Sequence, residues 1–250
     1  MLAEERRNTI LTLLTEEGRV LSADLSIRLG TCEDTIRRDL REMDARGLLQ
    51  RVHGGALLRS PAEAPFSDRQ KHLGPEKIEI AEKAVRLIQP GMVVFLGGGT
   101  TNAHLASILP RMVQATIITN NPAAAVALTD HPLVDLILVG GRVLKRTMVS
   151  VGADTVESLS KMRADLCMLG VCSLHPEIGL SIPDQEEVAV QQVMIRNAAE
   201  TAALVSGQVI NTASHFTVAG VEEVNRIVTN RGVPESALEP YRALGIEILM

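Results

Sequence analysis

Aromatic residues are almost absent from this chain. Among its 250 residues there are no Trp, one Tyr and three Phe, so that aromatic residues make up only 2%. A folded core must therefore be built from aliphatic side chains, and an apolar fraction of 46% supplies enough of them. A chain of this length allows one large domain or two of ordinary size.

Cysteine is also rare. Cys32, Cys167 and Cys172 form no CxxC motif. An odd number of cysteines without such motifs is typical of a reduced, cytoplasmic protein. It predicts neither a disulfide framework nor a structural metal site.

Long apolar runs and a positive net charge are missing as well. No apolar run reaches the roughly 18 residues of a membrane span. The N-terminal stretch MLAEERRNTI has no apolar core of a signal peptide, so we expect a cytoplasmic protein without membrane contact. A net charge of −5 argues against a protein that coats nucleic acid over its whole surface, although it permits a local basic surface.

The first 58 residues have the pattern of three helices followed by a hairpin. Gly18, Gly30 and Gly47 are predicted to end the helices, and Ser22 is predicted to cap the start of the second one. The segment LLQRVHGGALL, with its Gly-Gly turn, is predicted to form the hairpin. Helical spacing predicts that each helix buries one apolar face: Ile10, Leu13 and Leu14; Leu25 and Leu29; and Ile36, Leu40 and Met43.

The second and third helices predict a helix-turn-helix at about residues 20–39, with the hairpin as a wing, in a domain of residues 3–58. Arginine can bind phosphate or guanine edges, and threonine can bond phosphate or contact a thymine methyl group. The residues predicted to contact double-stranded operator DNA are Ser22, Cys32, Glu33, Thr35, Arg37, Arg38, Arg41, Arg51, His53, Gly54 and Gly55.

Charged residues on a helix are more often a solvated surface, and the charge balance does not decide the question here. Residues 1–58 contain nine Arg, no Lys and ten acidic residues, so this unit is not basic overall. The prediction of DNA binding depends on the arrangement instead: helix, tight turn, a helix with the sequence TIRRDL, a glycine stop and a basic wing.

A linker is predicted at residues 59–75, because RSPAEAPFSDRQKHLGP has three prolines and no apolar periodicity. In residues 76–250, short apolar runs alternate with helical patterns, which is typical of a buried parallel sheet. The runs are 92–97, 115–120, 134–141, 164–171, 201–206, 225–230 and 245–250. The expected fold class is α/β: a winged helix-turn-helix followed by a Rossmann-like, mostly parallel α/β effector-binding domain.

A glycine-rich loop follows the first of these strands, in FLGGGTTNAHLASIL at residues 95–109. Backbone N–H groups in such a loop, at a helix N-terminus, can bind an anion such as a sugar phosphate. The loop lacks the Lys of a nucleotide P-loop and is not a GxGxxG motif, so no cofactor is expected. Alone, such a loop is a weak signal, since it is often only a tight connection.

Polar residues after neighbouring strands strengthen the signal. In open α/β sheets, ligands bind at the carboxyl ends of the strands, where these loops converge. The residues predicted to bind a small-molecule effector are Gly98, Gly99, Thr100, Thr101, Asn120, Asn121, Gly140, Gly141, Arg142, Gly152, Asp184 and Glu187.

The segments TIRRDLREMDARGLLQRVHGGA (35–56) and GRVLSADLSIRLG (18–30) resemble the DeoR family of bacterial transcriptional regulators. Further resemblance lies in GGGTT, TIITNN, LVGG and GLSIPDQEE. The resemblance implies a DNA-binding regulator, most often a repressor of a carbohydrate-metabolism operon, with a sensor domain similar to ribose-5-phosphate isomerase. It also implies a homo-oligomer, dimeric or tetrameric, and an effector that is a phosphorylated sugar or a related metabolite.

The chain departs from the family pattern at three places. Cys32 stands where the family usually has Ser, either as an inert substitution or as a redox-sensitive group. Gln191 and Gln192 replace a basic pair, and residues 206–209, Ser-Gly-Gln-Val, replace a D-S-S-K segment. The loss of these cations predicts weaker phosphate binding. Either the effector is less anionic than in relatives, or other cations supply the charge: Arg142, Lys145 or Arg146.

An enzyme of the isomerase or CoA-transferase type, with an accessory DNA-binding domain, is the alternative hypothesis. Sugar isomerisation needs a general base beside a phosphate pocket, and Asp184, Glu186 and Glu187 are available. Carboxylates at a helix start more often interact with the helix dipole. No catalytic residue is therefore assigned, and the sensor hypothesis is favoured.

Overall fold

The computed structural model describes residues 2–60, 64–71 and 73–250. Residues 61–63 and 72 of the predicted linker lie outside the described residues. In the described part of the chain, no helix is both long and apolar enough to cross a membrane.

Three helices and a three-stranded sheet make up the N-terminal unit. Its elements are, in chain order, α1 (Ala3–Glu17), β1 (Arg19–Leu21), α2 (Ser22–Arg28), α3 (Glu33–Ala45), β2 (Gln50–Val52) and β3 (Gly55–Arg59). β3 pairs antiparallel with both β1 and β2 and forms the wing. Gly18 closes α1 in a left-handed conformation, with φ of 73°. The predicted cap of α2 is wrong by one residue, because the helix begins at Ser22 and Leu21 occupies the N-cap position.

The predicted inward-facing residues do form one apolar cluster. Leu13 and Leu29 pack against it at partial exposure. Its fully buried members include Ile10, Leu14, Leu25, Ile36, Leu40 and Met43. The helical spacing of the sequence thus predicts the buried face of each helix, and the opposite faces remain for solvent or DNA.

The remainder of the chain is an α/β unit. Its elements are, in chain order, α4 (Phe66–Lys71), α5 (Pro75–Ala84), β4 (Val93–Leu96), α6 (Thr100–Ser107), β5 (Ala115–Thr119), α7 (Pro122–Leu128), β6 (Val134–Leu138), β7 (Arg142–Leu144), β8 (Val149–Val151), α8 (Ala153–Ser160), β9 (Ala164–Gly170), β10 (Ser173–His175), β11 (Gly179–Ile182), α9 (Gln185–Arg196), β12 (Ala198–Val205), β13 (Thr212–Ala213), β14 (Phe216–Ala219), β15 (Arg226–Thr229), α10 (Glu235–Ala243) and β16 (Glu247–Leu249).

Among the described residues, seven strands form one sheet in the order β16-β15-β12-β9-β4-β5-β6. Every neighbouring pair is parallel. Each strand falls within or overlaps one of the seven apolar runs, which confirms the predicted α/β fold. The sheet is covered on both faces, since one buried cluster includes residues of α5, α6 and α7 and another includes residues of α8, α9 and α10.

The strand order reverses direction between β4 and β9. From β4 the chain proceeds outward through β5 and β6, and it then returns to place β9 on the other side of β4. Loops that leave two such strands turn apart, and a crevice opens at their carboxyl ends. This topology decides which of the predicted loops surround a ligand site.

The predicted linker is partly folded. Phe66 of α4 is buried, and its N–H donates to the Arg146 carbonyl at 2.7 Å. α4 therefore packs on the α/β unit. The sequence did not predict this helix because Phe66 is its only buried residue and gives no periodicity.

The two units share a strand pairing. β3 continues beyond the wing and pairs in parallel with β13, Leu58 with Thr212 and Arg59 with Ala213. An exposed ion pair adds to this contact, with 2.7 Å between Arg19 Nη1 and Glu177 Oε2. The sequence did not predict the pairing, because β13 has two residues and no recognisable strand pattern.

Candidate DNA interface and effector cleft

The outward face of α3 carries three arginines. Arg37, Arg38 and Arg41 are exposed, whereas Ile36 and Leu40 are buried below them. Arg37 Nη2 donates to Glu33 Oε1 at 2.7 Å. Arg38 and Arg41 form no ion pair with any described residue, so their guanidinium groups are available to phosphates or base edges.

Asp39 lies between these arginines in sequence but on the opposite face of the helix. It is 1% exposed and accepts from Arg6 Nε at 2.6 Å and Arg7 Nε at 3.0 Å. Burial acts to raise the pKa of this carboxyl, but the hydrogen bonds from the two arginines outweigh it and hold the pKa below its ordinary value. The Asp39 carboxylate thus fixes α3 to α1.

Cys32 immediately precedes α3. This exposed residue is the N-cap, and no side-chain capping hydrogen bond forms. Its Sγ lies 3.1 Å from Thr35 Oγ1, and that hydrogen bond lowers the pKa of the thiol. Thr35 is half-buried at the same end of the helix, next to the half-buried Glu33.

The wing presents some of the predicted residues and buries others. Arg51, His53 and Gly54 are exposed at its tip. Gly55 is buried, and a Cβ there would lie 2.0 Å from the Val20 carbonyl oxygen, so only glycine fits at this position. Ser22 is only 2% exposed, and its N–H donates to the Gly54 carbonyl at 2.7 Å. Ser22 and Gly55 are therefore corrected from DNA contacts to residues that hold the wing in place.

A cleft opens at the carboxyl ends of β4, β9 and β12. Three loops form most of its wall, at residues 98–101, 170–172 and 206–209. Side chains from the helices complete it: Arg69, Lys77, Glu187 and Gln191.

The glycine-rich loop at residues 98–101 is held rigidly. Asn102 Nδ2 donates to the carbonyls of Gly97 and Met168 at 3.1 and 2.9 Å. Gly99 has φ of 102° at the N-cap of α6. Thr100 is 3% exposed and its Oγ1 has no hydrogen-bond partner among the described residues. A fixed loop at a helix N-terminus with an unsatisfied hydroxyl can bind an anionic group.

The cations at the cleft are not those that the sequence suggested. Lys77 and Arg69 line it, and the pKa of Lys77 is lowered by burial and by the nearby Arg69. Neither was assigned to the site, because the folding of α4 and α5 over the crevice has no signature in the sequence.

The three suggested cations lie elsewhere, and none of them lines the cleft. Arg142 forms an ion pair with Glu186, and Arg146 Nη2 lies 3.8 Å from Asp184 Oδ2. Lys145 is exposed. The cations in the cleft lining itself are therefore Lys77 and Arg69.

The structure brings together only part of the predicted effector site. Gly98, Gly99, Thr100, Thr101 and Glu187 line the cleft. The other predicted residues do not line it: Asn120, Asn121, Gly140, Gly141, Arg142, Gly152 and Asp184. Residues 120–121 and 140–142 follow β5 and β6, which lie outward from the crevice between β4 and β9.

Several of the displaced residues have structural roles instead. Asn121 caps α7 through its side chain, and its Nδ2 donates to the Gly99 carbonyl at 3.3 Å. Asn120 Nδ2 donates to the Ser150 carbonyl at 3.0 Å. A Cβ at Gly141 would lie 2.1 Å from Thr155 Oγ1. Asp184 caps α9 by accepting from the Glu186 N–H at 3.0 Å.

Glu187 is the carboxyl group that enters the cleft. It is 7% exposed, and burial raises its pKa, against the opposing effect of the Thr147 hydroxyl. Asp184 faces Arg146 instead. Among the described residues, no group of three or more His, Cys, Asp or Glu could hold a metal ion.

Two family models match most of this chain. Residues 6–62 match the model of the DeoR-like helix-turn-helix domain, and residues 74–231 match that of the DeoR C-terminal sensor domain. Of the solved structures, ribose 5-phosphate isomerase A from Methanocaldococcus jannaschii is 20% identical, with a TM-score of 0.37 over 52% of this chain and 51% of its own.

Curated relatives align along the whole chain. The HTH-type transcriptional regulator GlpR of Haloferax volcanii is 30% identical and covers 100% of this chain and 98% of its own. The HTH-type transcriptional repressor GlcR of Bacillus subtilis is 29% identical and covers 100% and 97%. Since the sensor-domain match alone spans more than half of the chain, and GlpR aligns end to end, this protein belongs to the DeoR family of DNA-binding transcriptional regulators.

Proposed function

We propose that this protein is a cytoplasmic repressor of a carbohydrate-metabolism operon, released from its operator by a small anionic effector. The observation that carries the proposal is the pairing of two surfaces in one chain. α3 presents Arg38 and Arg41, which form no ion pair with any described residue, and the cleft presents the glycine-rich loop at residues 98–101 together with Lys77 and Arg69. We assign residues 3–58 to DNA binding, 59–75 to the connection and 76–250 to the sensor.

A homo-oligomer, dimeric or tetrameric, completes this proposal. One recognition helix contacts few base pairs, and helix-turn-helix proteins gain specificity by placing two such helices on repeated half-sites. Effector binding then weakens operator binding by changing the spacing or mobility of the two DNA-binding units, with a coupling free energy of about 1–3 kcal/mol.

The effector proposed is a sugar-derived metabolite related to the sugar phosphates, with one anionic group, such as the carboxylate of a sugar acid, and a neutral polar remainder. Its anionic group would bind the loop at residues 98–101, close to Lys77. The lining also offers neutral side chains, Gln191 and Gln208, as hydrogen-bond donors and acceptors for a hydroxylated carbon chain. Because the basic family positions are neutral here, we propose that the effector class differs from that of relatives.

A thermal-shift screen of the full chain tests this function. The panel contains sugar phosphates, free sugars, polyols and sugar acids, and each hit is re-tested for chemical conversion and for release of operator DNA. A compound that binds unchanged and releases the DNA supports the sensor. Conversion would favour the isomerase-type alternative. A response to ordinary sugar phosphates alone would contradict the altered effector class.

We expect Lys77→Gln to weaken binding of an anionic hit by about 10- to 150-fold, since a hydrogen bond to a charged group contributes about 1.5–3 kcal/mol. Burial and Arg69 already disfavour the charged form of Lys77, so folding stability should not fall. Isothermal titration calorimetry measures the affinity. Arg142→Gln is the matched control, because Arg142 lies outside the cleft. Equal affinities for the two variants would place the anionic group elsewhere.

A further inference from the structure

The strand that leaves the wing ends against the wall of the effector cleft. Leu58 and Arg59 of β3 pair with Thr212 and Ala213 of β13. The next residue, Ser60, donates its hydroxyl hydrogen to the carbonyl of Cys172, which lines the cleft. The wing strand is thus attached to the loop after β9 and to the segment after β12.

β13 is itself joined to the cleft wall. Residues 206–209 line the cleft, and only two residues separate them from β13. The Thr212 hydroxyl donates to the Val209 carbonyl at 2.8 Å. A change in the conformation of residues 206–209 therefore acts directly on the strand that holds β3.

Asn211 sets the direction in which β13 leaves this wall. Its φ is 59°, a left-handed conformation that is uncommon for a residue other than glycine. Its Oδ1 lies 3.3 Å from the hydroxyl of Tyr241, a residue with no exposed surface. The same hydroxyl lies 3.2 Å from the Leu174 carbonyl in β10. Asn211 also faces the DNA-binding unit, since a Cβ at Gly18 would lie 3.9 Å from Asn211 Cβ.

We propose that Asn211 and Tyr241 are positioning residues for DNA binding. They hold β13 in the direction that pairs it with β3, and β3 in turn sets the place of the wing relative to the sensor. The inference builds on the proposed function, because it explains how the state of the cleft reaches the wing. Neither residue contacts DNA or effector in this proposal.

Hydrogen–deuterium exchange of the full chain, without ligand, tests the connection. We expect Asn211→Gly, which permits the left-handed φ but removes the amide, to raise exchange at residues 58–59 and 212–213 together by about fivefold, the effect of one lost hydrogen bond. Tyr241→Phe should act in the same way. Faster exchange at 212–213 with unchanged exchange at 58–59 would overturn the proposal.

Asn211→Asp keeps an acceptor for the Tyr241 hydroxyl, so its exchange rates should equal those of the wild type. If Asn211→Gly acted only through a general loss of packing, Asn211→Asp would not be expected to behave as the wild type. Glu177→Gln is the matched control, because it removes only the exposed ion pair between the two units, an interaction that contributes little. It should leave exchange at residues 58–59 unchanged.

Operator binding gives the second measurement, with DNA selected by the wild-type chain from a random pool. We expect Asn211→Gly to reduce the ratio of specific to nonspecific affinity, with Asn211→Asp and Glu177→Gln unchanged. An unaltered ratio for Asn211→Gly would overturn the positioning role. If the wild-type chain selects no DNA, the proposed function fails, whereas the exchange measurement still decides whether β13 holds β3.

Discussion

Replacing Asp39 with alanine is expected to cost about 3–5 kcal/mol of folding free energy in the DNA-binding unit, the usual effect of removing one partner of a buried ion pair. Asp39 is 1% exposed and holds both Arg6 and Arg7. Its loss leaves the Arg6 guanidinium buried without a counterion. Urea denaturation followed by circular dichroism, together with operator binding, measures the effect.

Glu42→Gln is the matched control for this substitution. Glu42 also pairs with Arg7, but its side chain is 48% exposed. Glu42→Gln should therefore reduce the folding stability by less than about 1 kcal/mol. If the folding stability of Asp39→Ala falls as little as that of Glu42→Gln, the Asp39 carboxylate does not stabilise the contact between α1 and α3.

The pH dependence of stability follows from the same carboxylate. The pKa of Asp39 is lowered in the folded state, so the folded state binds fewer protons than the unfolded chain between the two pKa values. The contribution of Asp39 is therefore present above the ordinary value of about 4 and is lost as the pH falls through the folded-state pKa. The stability difference between wild type and Asp39→Asn should shrink as the pH is lowered through this range.

Replacing Arg38 with alanine is expected to weaken operator binding by about 5- to 150-fold, the range of about 1–3 kcal/mol for a base-contacting arginine. Arg38 is exposed on α3, and no described residue forms an ion pair with it, so its loss should not unfold the protein. Arg37→Ala should have a smaller effect, because Arg37 pairs with Glu33 in the free protein. Fluorescence anisotropy with labelled operator DNA measures the affinity.

Two further variants, Arg51→Ala in the wing and Arg111→Ala in the α/β unit, are compared with Arg38→Ala. Arg51 lies at the exposed tip of the wing, so its loss should weaken specific and nonspecific binding to similar extents and reduce the salt slope by about 1. Arg111 is an exposed arginine between α6 and β5 of the α/β unit and should have no effect. If the alanine variants of Arg38, Arg37 and Arg51 all show equally small losses of operator affinity, the DNA binds another surface.

Local patterns predicted the elements of the fold well. Apolar residues at helical spacing marked the buried faces of α1, α2 and α3, because a helix in a small domain can bury only one face. Near-continuous apolar runs marked the seven strands, because a parallel sheet is covered on both sides. Both signals depend on residues close together in sequence.

Only five of the twelve residues predicted to bind the effector line the cleft, and the reason is topological. The loop at residues 98–101 has a local signature and does line the cleft. Asn120, Asn121 and residues 140–142 have similar signatures, but they follow strands that lie outward from the crevice. Which strands flank the crevice depends on strand order, which no local pattern in the sequence reveals.

The family, the helix-turn-helix and the parallel sheet could be identified from the amino-acid sequence, because they arise from motifs and periodicities within short segments. The location of the functional charges depended on three-dimensional packing. Packing buried Asp39 while its neighbours Arg37 and Arg38 stayed exposed, and it brought Lys77 rather than Arg142 to the cleft. It also paired β3 with β13 across about 150 residues of chain. Contacts between segments so far apart depend on how whole elements pack.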